Sequence, residues 1–435
     1  MRVKAYFCRA TPQNFFIPYP EKHQRKNMTL DLDFTRSQFP AFSQPGLKGW
    51  AFFENAGGSY PCRQVVDRLT RFYTGNKVQP YYPYPASTRA GQLMDEAYRR
   101  IAEYMGADPL EVHFGPSTTQ NVYVLANALR PLWDDGDEII VSCQDHEANA
   151  GAWRRLGERG LNIVEWHVDP VTGVLDPEVL SRLFTDKTRM VAYPHCSNVI
   201  GHVNPVRKIS EMARSRGVRT VVDGVGWAPH EIPDVKGLGA DIYMFSAYKT
   251  FGPHLGVMYV ERNLLEKMEN QAHFFKKDSL RHKITPAGPD HAQVAAAAGM
   301  ADYFDAIYAH HFPGEAEPPK RRDLLNRMFR DHEKGLLQPL LEFLTGREDV
   351  RIVGPNTPED RAPIVSILPL EKTVGQVYEA LTNYQLMTGM GHFYAVRPLK
   401  DMKLPTDPGV IRLSFVHYTS PEEVAQLIDG LKRAL

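Results

Sequence analysis

Six short apolar runs, at 138–143, 162–167, 190–195, 220–222, 242–245 and Gly256–Val260, recur between about residues 95 and 260, separated by polar or helical stretches. No other feature constrains the fold as strongly. Val and Ile are prominent, and the runs are nearly continuous in apolar character. That suits strands covered on both faces. Helical spacing in 92–105 and 205–215 fills the gaps. Strand–helix alternation predicts an α/β fold with a mostly parallel sheet flanked by helices. In open sheets of this kind ligands lie beyond the carboxyl ends of the strands. The residues that follow each run are therefore the functional candidates.

After about residue 292 the character changes. An Ala-rich helical stretch (292–306) leads through a polar, Pro-containing segment (313–322) to a smaller α+β unit that includes 364–368 and 410–415. With 435 residues, 43% of them hydrophobic, the chain can bury a large unit and a satellite. The expected division is a flexible extension over 1–27, a segment over 28–55 packing with the small domain, a large ligand-binding domain over 56–300 and a small domain over 301–435. The extension carries Arg, Lys, Pro and aromatics but lacks the apolar stretch of a signal peptide. The 51 basic and 51 acidic residues balance, which argues against a nucleic-acid or membrane-surface role. No apolar run approaches the ~18 residues of a transmembrane helix. Cys8, Cys62, Cys143 and Cys196 form no C-x-x-C pair, so no metal site is expected. Few cysteines in a long chain point to free thiols in a reducing compartment, here the cytoplasm.

Asp223 follows the run at 220–222, and Lys249 stands just past the run at 242–245. Each alone has an ordinary reading, the acid as a helix cap and the lysine as a solvated cation. Together they mean more. Their spacing, 249 − 223 = 26, matches one strand-to-strand connection, which puts both on the same edge of neighbouring strands. Pyridoxal 5′-phosphate (PLP) needs that pairing: an amine to form an imine and a carboxylate to keep the pyridine nitrogen protonated. A phosphate needs a cradle, and Gly115-Pro116-Ser117-Thr118-Thr119-Gln120 precedes the helical stretch 122–129, where hydroxyls and free N–H groups would meet a dianion. His146 follows the run at 138–143 and is suited to stack on a flat ring or to move a proton.

In order and spacing, Val222-Asp223-Gly224, Gly239-Ala240-Asp241, Phe245-Ser246-Ala247-Tyr248-Lys249, Gly252-Pro253 and Gly256-Val257 resemble the class V aminotransferases, on the cysteine desulfurase branch of the fold type I PLP enzymes. The resemblance covers about residues 50–430. It implies Lys249 at the imine, Asp223 at the ring nitrogen and His146 stacked on the ring, and Thr118, Thr119 and Ser246 at the phosphate. It places Asn198, in a segment ending Asn204-Pro205, near the phenolic oxygen. Arg412 resembles the clamp for a substrate carboxylate, a task that suits a guanidinium fork. Asn55-Ala56-Gly57-Gly58 resembles the small-residue loop that borders the substrate. A homodimer is implied, with Tyr81-Tyr82-Pro83-Tyr84-Pro85 as a candidate contribution to the neighbouring site.

Three departures from the resemblance matter. Val225-Gly226 stand where the desulfurases usually show Ala-Gln. Tyr248, which can still reach the phosphate, precedes the lysine in place of His. Gly391-His392-Phe393-Tyr394-Ala395 matches the loop that carries the desulfurase cysteine, and Tyr394 stands where the thiol should be. Persulfide chemistry needs a thiolate beside the substrate sulfur, so a persulfide-forming desulfurase is not expected. The expected function is a PLP enzyme acting on an amino acid or amine, with Tyr394 lining the substrate pocket. Transamination, elimination by a carbon–sulfur lyase and epimerisation all stay open, since each begins from the same quinonoid carbanion.

Overall fold

The computed structural model describes residues 29–435, so the extension expected over 1–27 and Cys8 lie outside the described residues. After a short strand β1 (Ala51–Phe52), seven strands build the main sheet: β2 (Val112–Gly115), β3 (Glu138–Ser142), β4 (Asn162–Trp166), β5 (Thr188–Pro194), β6 (Arg219–Asp223), β7 (Ile242–Ser246) and β8 (Gly256–Val260). Their order across the sheet is β2-β8-β7-β6-β5-β3-β4. Only β8 runs against its neighbours; the other pairs are parallel. The reason is the length of the connection. Residues 247–255 are too few for a helical crossover, so the chain must turn back.

Successive residues of the central strands enter opposite cores. Val222, Tyr243 and Phe245 pack against the helices Pro85–Met105 and His291–His311, while Val221 and Met244 pack against Thr118–Leu129 and Glu147–Arg154. Two covered faces account for the continuous apolar runs, and each fully buried aliphatic side chain is worth about 1.5–3 kcal/mol. β2 was not among the expected strands. It is four residues long, and it includes His113 and Gly115.

The remaining strands are β9 (Val350–Val353), β10 (Ile364–Pro369), β11 (Leu386–Met387), β12 (Gly389–Gly391) and β13 (Val410–Ser414). Four of these form an antiparallel sheet in the order β12-β13-β10-β9, and β11 pairs in parallel with β1. The helices Val374–Asn383 and Pro421–Ala434 cover this sheet through Val377, Leu381, Leu427 and Leu431. Both helices start with a capping box, Thr373 with Gln376 and Ser420 with Glu423. Beyond β1 the chain continues beside β13: Ser414 N donates to Phe53 O (2.7 Å) and Asn55 N to Ser414 O (3.3 Å). Among the described residues no helix is long and apolar enough to cross a membrane.

Candidate active site

A cleft opens past the carboxyl ends of β3, β5, β6 and β7, with Thr118, His146, Asn198, Asp223, Ser246 and Lys249 among its walls. At one end, Ser117 caps the helix Thr118–Leu129 by accepting a hydrogen bond from Gln120 N at 3.2 Å. Thr118 Oγ1 lies 2.8 Å from Ser246 Oγ, and both residues are buried. Thr119 also borders the cleft but is exposed. Gly256 lets the backbones close up here, because a Cβ on it would come within 2.7 Å of Thr118 N. Buried hydroxyls and the first N–H groups of a helix form an anion cradle.

Asp223 ends β6 and Lys249 follows β7, the adjacent parallel strand. Asp223 Oδ1 accepts from Val225 N at 2.8 Å. Burial lifts its carboxyl to about 6, while the nearby Lys249 pulls it down. Burial and the Arg412 charge push Lys249 down to about 8, and Asp223 and Glu54 oppose them. Asp145, which the sequence reading did not mark, is buried close by. Burial and the Asp223 charge push it well above the usual carboxylate range. It accepts from His146 N (2.9 Å) and from Asn149 Nδ2 (2.7 Å). His146 caps the helix Glu147–Arg154, its Nδ1 accepting from Ala148 N at 3.0 Å, which leaves the ring proton on Nε2. Burial, then Lys249 and Arg412, lower its pKa to about 3, so the ring is neutral.

Arg412 sits buried on β13, and each of its three guanidinium nitrogens donates a hydrogen bond. It donates to Asn198 O at 3.0 Å, pairs with both carboxylate oxygens of Glu54, and carries the Phe393 ring 3.8 Å from Cζ. Nothing in the sequence marked Glu54 or Phe393, although Glu54 directly precedes the small-residue loop. Asn55 is turned to structural work: its Nδ2 donates to Phe52 O and Ser414 O, and its Oδ1 accepts from Tyr418. Ala56 N donates to Ser414 Oγ at 2.9 Å. Gly57 lies against Glu54, where a Cβ would meet Oε1 at 2.8 Å. None of the three lines the cleft. Tyr248 does line it, with its ring stacked on His254 at 4.8 Å.

The loop after β12 is latched over the site. Phe393 and Tyr394 take positive φ values of 49° and 58°, a conformation that costs about 1–2 kcal/mol per non-glycine residue. Three contacts hold it there: Asn198 Nδ2 donates to Phe393 O (2.9 Å), Glu147 N donates to Tyr394 O (2.8 Å), and Arg397 pairs with Glu147. Tyr394 is 67% exposed and stands outside the main cleft, its ring 5.2 Å from that of His146. The residue of this loop that packs on Arg412 is Phe393.

The sequence model of the class-V aminotransferases matches residues 51–307. The chain belongs to the class-V aminotransferase family. It is 33% identical over 420 residues to the aminotransferase-like protein FGM3 of Gibberella zeae, covering 94% of this chain and 99% of that one. It is 30% identical to the cysteine desulfurase-like protein ustD of Aspergillus flavus, over 92% of this chain and 90% of the relative. In fold it is similar to the cysteine desulfurase CsdA of Escherichia coli, with a TM-score of 0.79 at 22% identity over 93% and 98% of the two chains. Class-V aminotransferases and cysteine desulfurases are PLP-dependent, and this member is a PLP-dependent transferase or lyase.

The cleft of this class-V enzyme fits PLP on its own geometry. A hydroxyl pair beside a helix start suits the phosphate. A buried carboxylate with one oxygen committed and a raised pKa calls for a cationic partner. Asn198 Oδ1 is buried with no hydrogen-bond partner. The thiols fit a desulfurase less well. Cys62, Cys143 and Cys196 are free and buried. Cys196 donates to Gly201 O at 3.3 Å, and burial pushes its thiol up to about 12. Cys143 donates to Glu165 at 2.6 Å, and burial with that acid pushes it up strongly.

Proposed function

We propose that this enzyme acts on an α-amino acid or amine, with Lys249 as the attachment point for PLP and Asp223 as the partner of its ring nitrogen. The observation that carries the reading is the placing of Asp223 and Lys249 at the carboxyl ends of adjacent parallel strands, inside one buried cleft. Thr118, Thr119 and Ser246 would hold the phosphate, His146 would stack on the ring, Asn198 would meet the phenolic oxygen, and Tyr248 would border the phosphate. Bound there, PLP supplies an electron sink for the bond broken at the substrate's Cα. Lys249 Nζ, with a pKa near 8, carries protons to and from that Cα. Neutral His146 donates its Nε2–H without adding charge. Phe393 and the latched loop exclude water from the carboxylate side.

Elimination from a β-substituted amino acid is favoured over persulfide transfer. Tyr394 replaces the nucleophile, and the buried thiols are held as neutral hydrogen-bond donors. The exposed aromatics Tyr81, Tyr82 and Tyr84 support a homodimer, with the Tyr82 and Tyr84 rings stacked at 5.9 Å on the surface. The deciding experiment mixes the purified holoenzyme with a panel of amino acids and amines and assays keto acid, ammonia, sulfide and change of configuration. Borohydride reduction followed by peptide mapping locates the attachment. A label on any residue but Lys249, or no label at all, ends the proposal.

A further inference from the structure

The Arg412 guanidinium already holds a carboxylate. Glu54 reaches it with both oxygens, Oε2 accepting from Nε at 3.3 Å and Oε1 from Nη2. Two glycines make this seat possible: a Cβ on Gly389 would stand 2.5 Å from Glu54 Oε2, and one on Gly57 would stand 2.8 Å from Oε1. Nη1 donates to Asn198 O at 3.0 Å, and the Phe393 ring covers one face at 3.8 Å. Arg412 keeps 4% of its side chain exposed, whereas Glu54 keeps 25%. The acid is therefore the solvent-reaching member of the pair. The Nε–Nη2 edge that holds one carboxylate in two-point fashion has no room for a second.

We propose that Glu54 is a resident stand-in for the substrate's α-carboxylate, and that substrates bind by displacing it from Arg412. Glu54 then sets how strongly the enzyme prefers an amino acid over the corresponding amine. When the substrate has a carboxylate, Glu54 swings toward solvent. When it has none, Glu54 stays and keeps the Arg412 charge neutralised. The exchange lowers the affinity for carboxylates, because each binding event must first break an ion pair, and it leaves the amine route open. This rests on the proposed attachment of PLP at Lys249, which borohydride mapping tests separately, and on Arg412 as the expected seat of the substrate carboxylate.

The test compares Glu54→Gln with the wild-type protein in two measurements. Saturation-transfer NMR with propionate on the cofactor-free protein reads the carboxylate seat without any turnover. Propionate is expected to bind about ten-fold more tightly to E54Q, the scale of one charge-assisted hydrogen bond, and to lose that gain in E54Q combined with Arg412→Gln. In the holoenzyme, KM for an amino-acid substrate falls by a similar factor with kcat little changed, and the preference over the matching amine widens. Weaker or unchanged propionate binding with a raised KM overturns the proposal, because it makes Glu54 a prop that merely positions Arg412. Glu54→Asp guards against a folding defect. It keeps the charge but not the reach, so it too must tighten propionate; if neither variant does, the proposal fails.

Discussion

Thr118 Oγ1 and Ser246 Oγ meet at 2.8 Å although 128 residues separate them in the chain. One hydroxyl opens a helix and the other ends a strand, so their meeting fixes the helix start against the sheet edge. In the proposed reading both turn to the phosphate. Thr118→Val with Ser246→Ala is expected to weaken PLP binding by about 10- to 100-fold, the cost of one or two hydrogen bonds to a charged group. Equilibrium dialysis of the cofactor-free protein measures it. Unchanged affinity would place the phosphate elsewhere.

Gly256 tests the same cradle through the backbone. Its missing Cβ allows Thr118 N and the Ser117 carbonyl carbon to approach, and an added methyl would stand 2.7 and 2.6 Å from them. These are backbone atoms and cannot rotate away. Gly256→Ala is expected to destabilise the protein by about 1–3 kcal/mol and to reduce PLP affinity together with stability. Thermal unfolding with and without PLP separates the two effects.

The Lys249 pKa near 8 gives a pH signature. The amine attacks a carbonyl only when neutral, and it is neutral above its pKa. Attachment of PLP to the cofactor-free protein should therefore speed up as pH rises through about 8 and level off above it, whereas a lysine at the ordinary 10.5 would keep accelerating. Arg412 helps to hold the value down, so Arg412→Gln should move the midpoint upward. Stopped-flow rates across the range check both. A midpoint unmoved by Arg412→Gln would separate the two residues electrically. Lys249→Ala should abolish attachment and turnover.

How much of this could be read beforehand follows from physics. Asp223 and Lys249 were legible because each sits next to an apolar run, and a parallel sheet brings successive strand ends to one edge. The hydroxyls at a helix start, proposed here to hold the phosphate, were legible from Ser117-Thr118-Thr119 before the helical stretch. Glu54 was not, because its partner lies 358 residues away and no local pattern announces a pairing that distant. Tyr394 was expected to line the substrate pocket, whereas Phe393, which the sequence did not mark, is the loop residue stacked on Arg412. Two successive left-handed residues break the alternation that a sequence reading assumes. The antiparallel β8 followed from a connection whose shortness was visible, but β2, only four residues long, gave no periodic signal.

Asp223→Asn keeps the shape and removes the charge. An amide cannot hold a proton on the ring nitrogen as a carboxylate does, so the electron sink weakens. Turnover is expected to fall by at least about 100-fold with attachment at Lys249 preserved. Absorbance of the attached cofactor and single-turnover rates distinguish the two. If attachment is lost along with turnover, Asp223 acts on folding or binding, and the assigned role fails.

The last prediction concerns sulfur. A persulfide needs a thiolate at the substrate, and this cleft offers none. Cys196 borders it, yet its Sγ donates to Gly201 O and burial pushes its thiol up to about 12, so at neutral pH it stays a neutral thiol. Cys143 is further discouraged by the Glu165 charge. Tyr394 is a phenol, 67% exposed. If cysteine or a β-substituted analogue is a substrate, the products should be pyruvate, ammonia and a free sulfur species, with no cyanide-reactive sulfur left on the protein. Cys143→Ser and Cys196→Ser keep each hydrogen-bond donor and should retain activity within about two-fold. Tyr394→Phe separates proton transfer from mere enclosure: unchanged turnover removes the phenol from the chemistry. Alanine formed in step with a protein-bound persulfide, and lost in Cys196→Ser, would show that the buried thiol can swing out and that elimination is the wrong reaction.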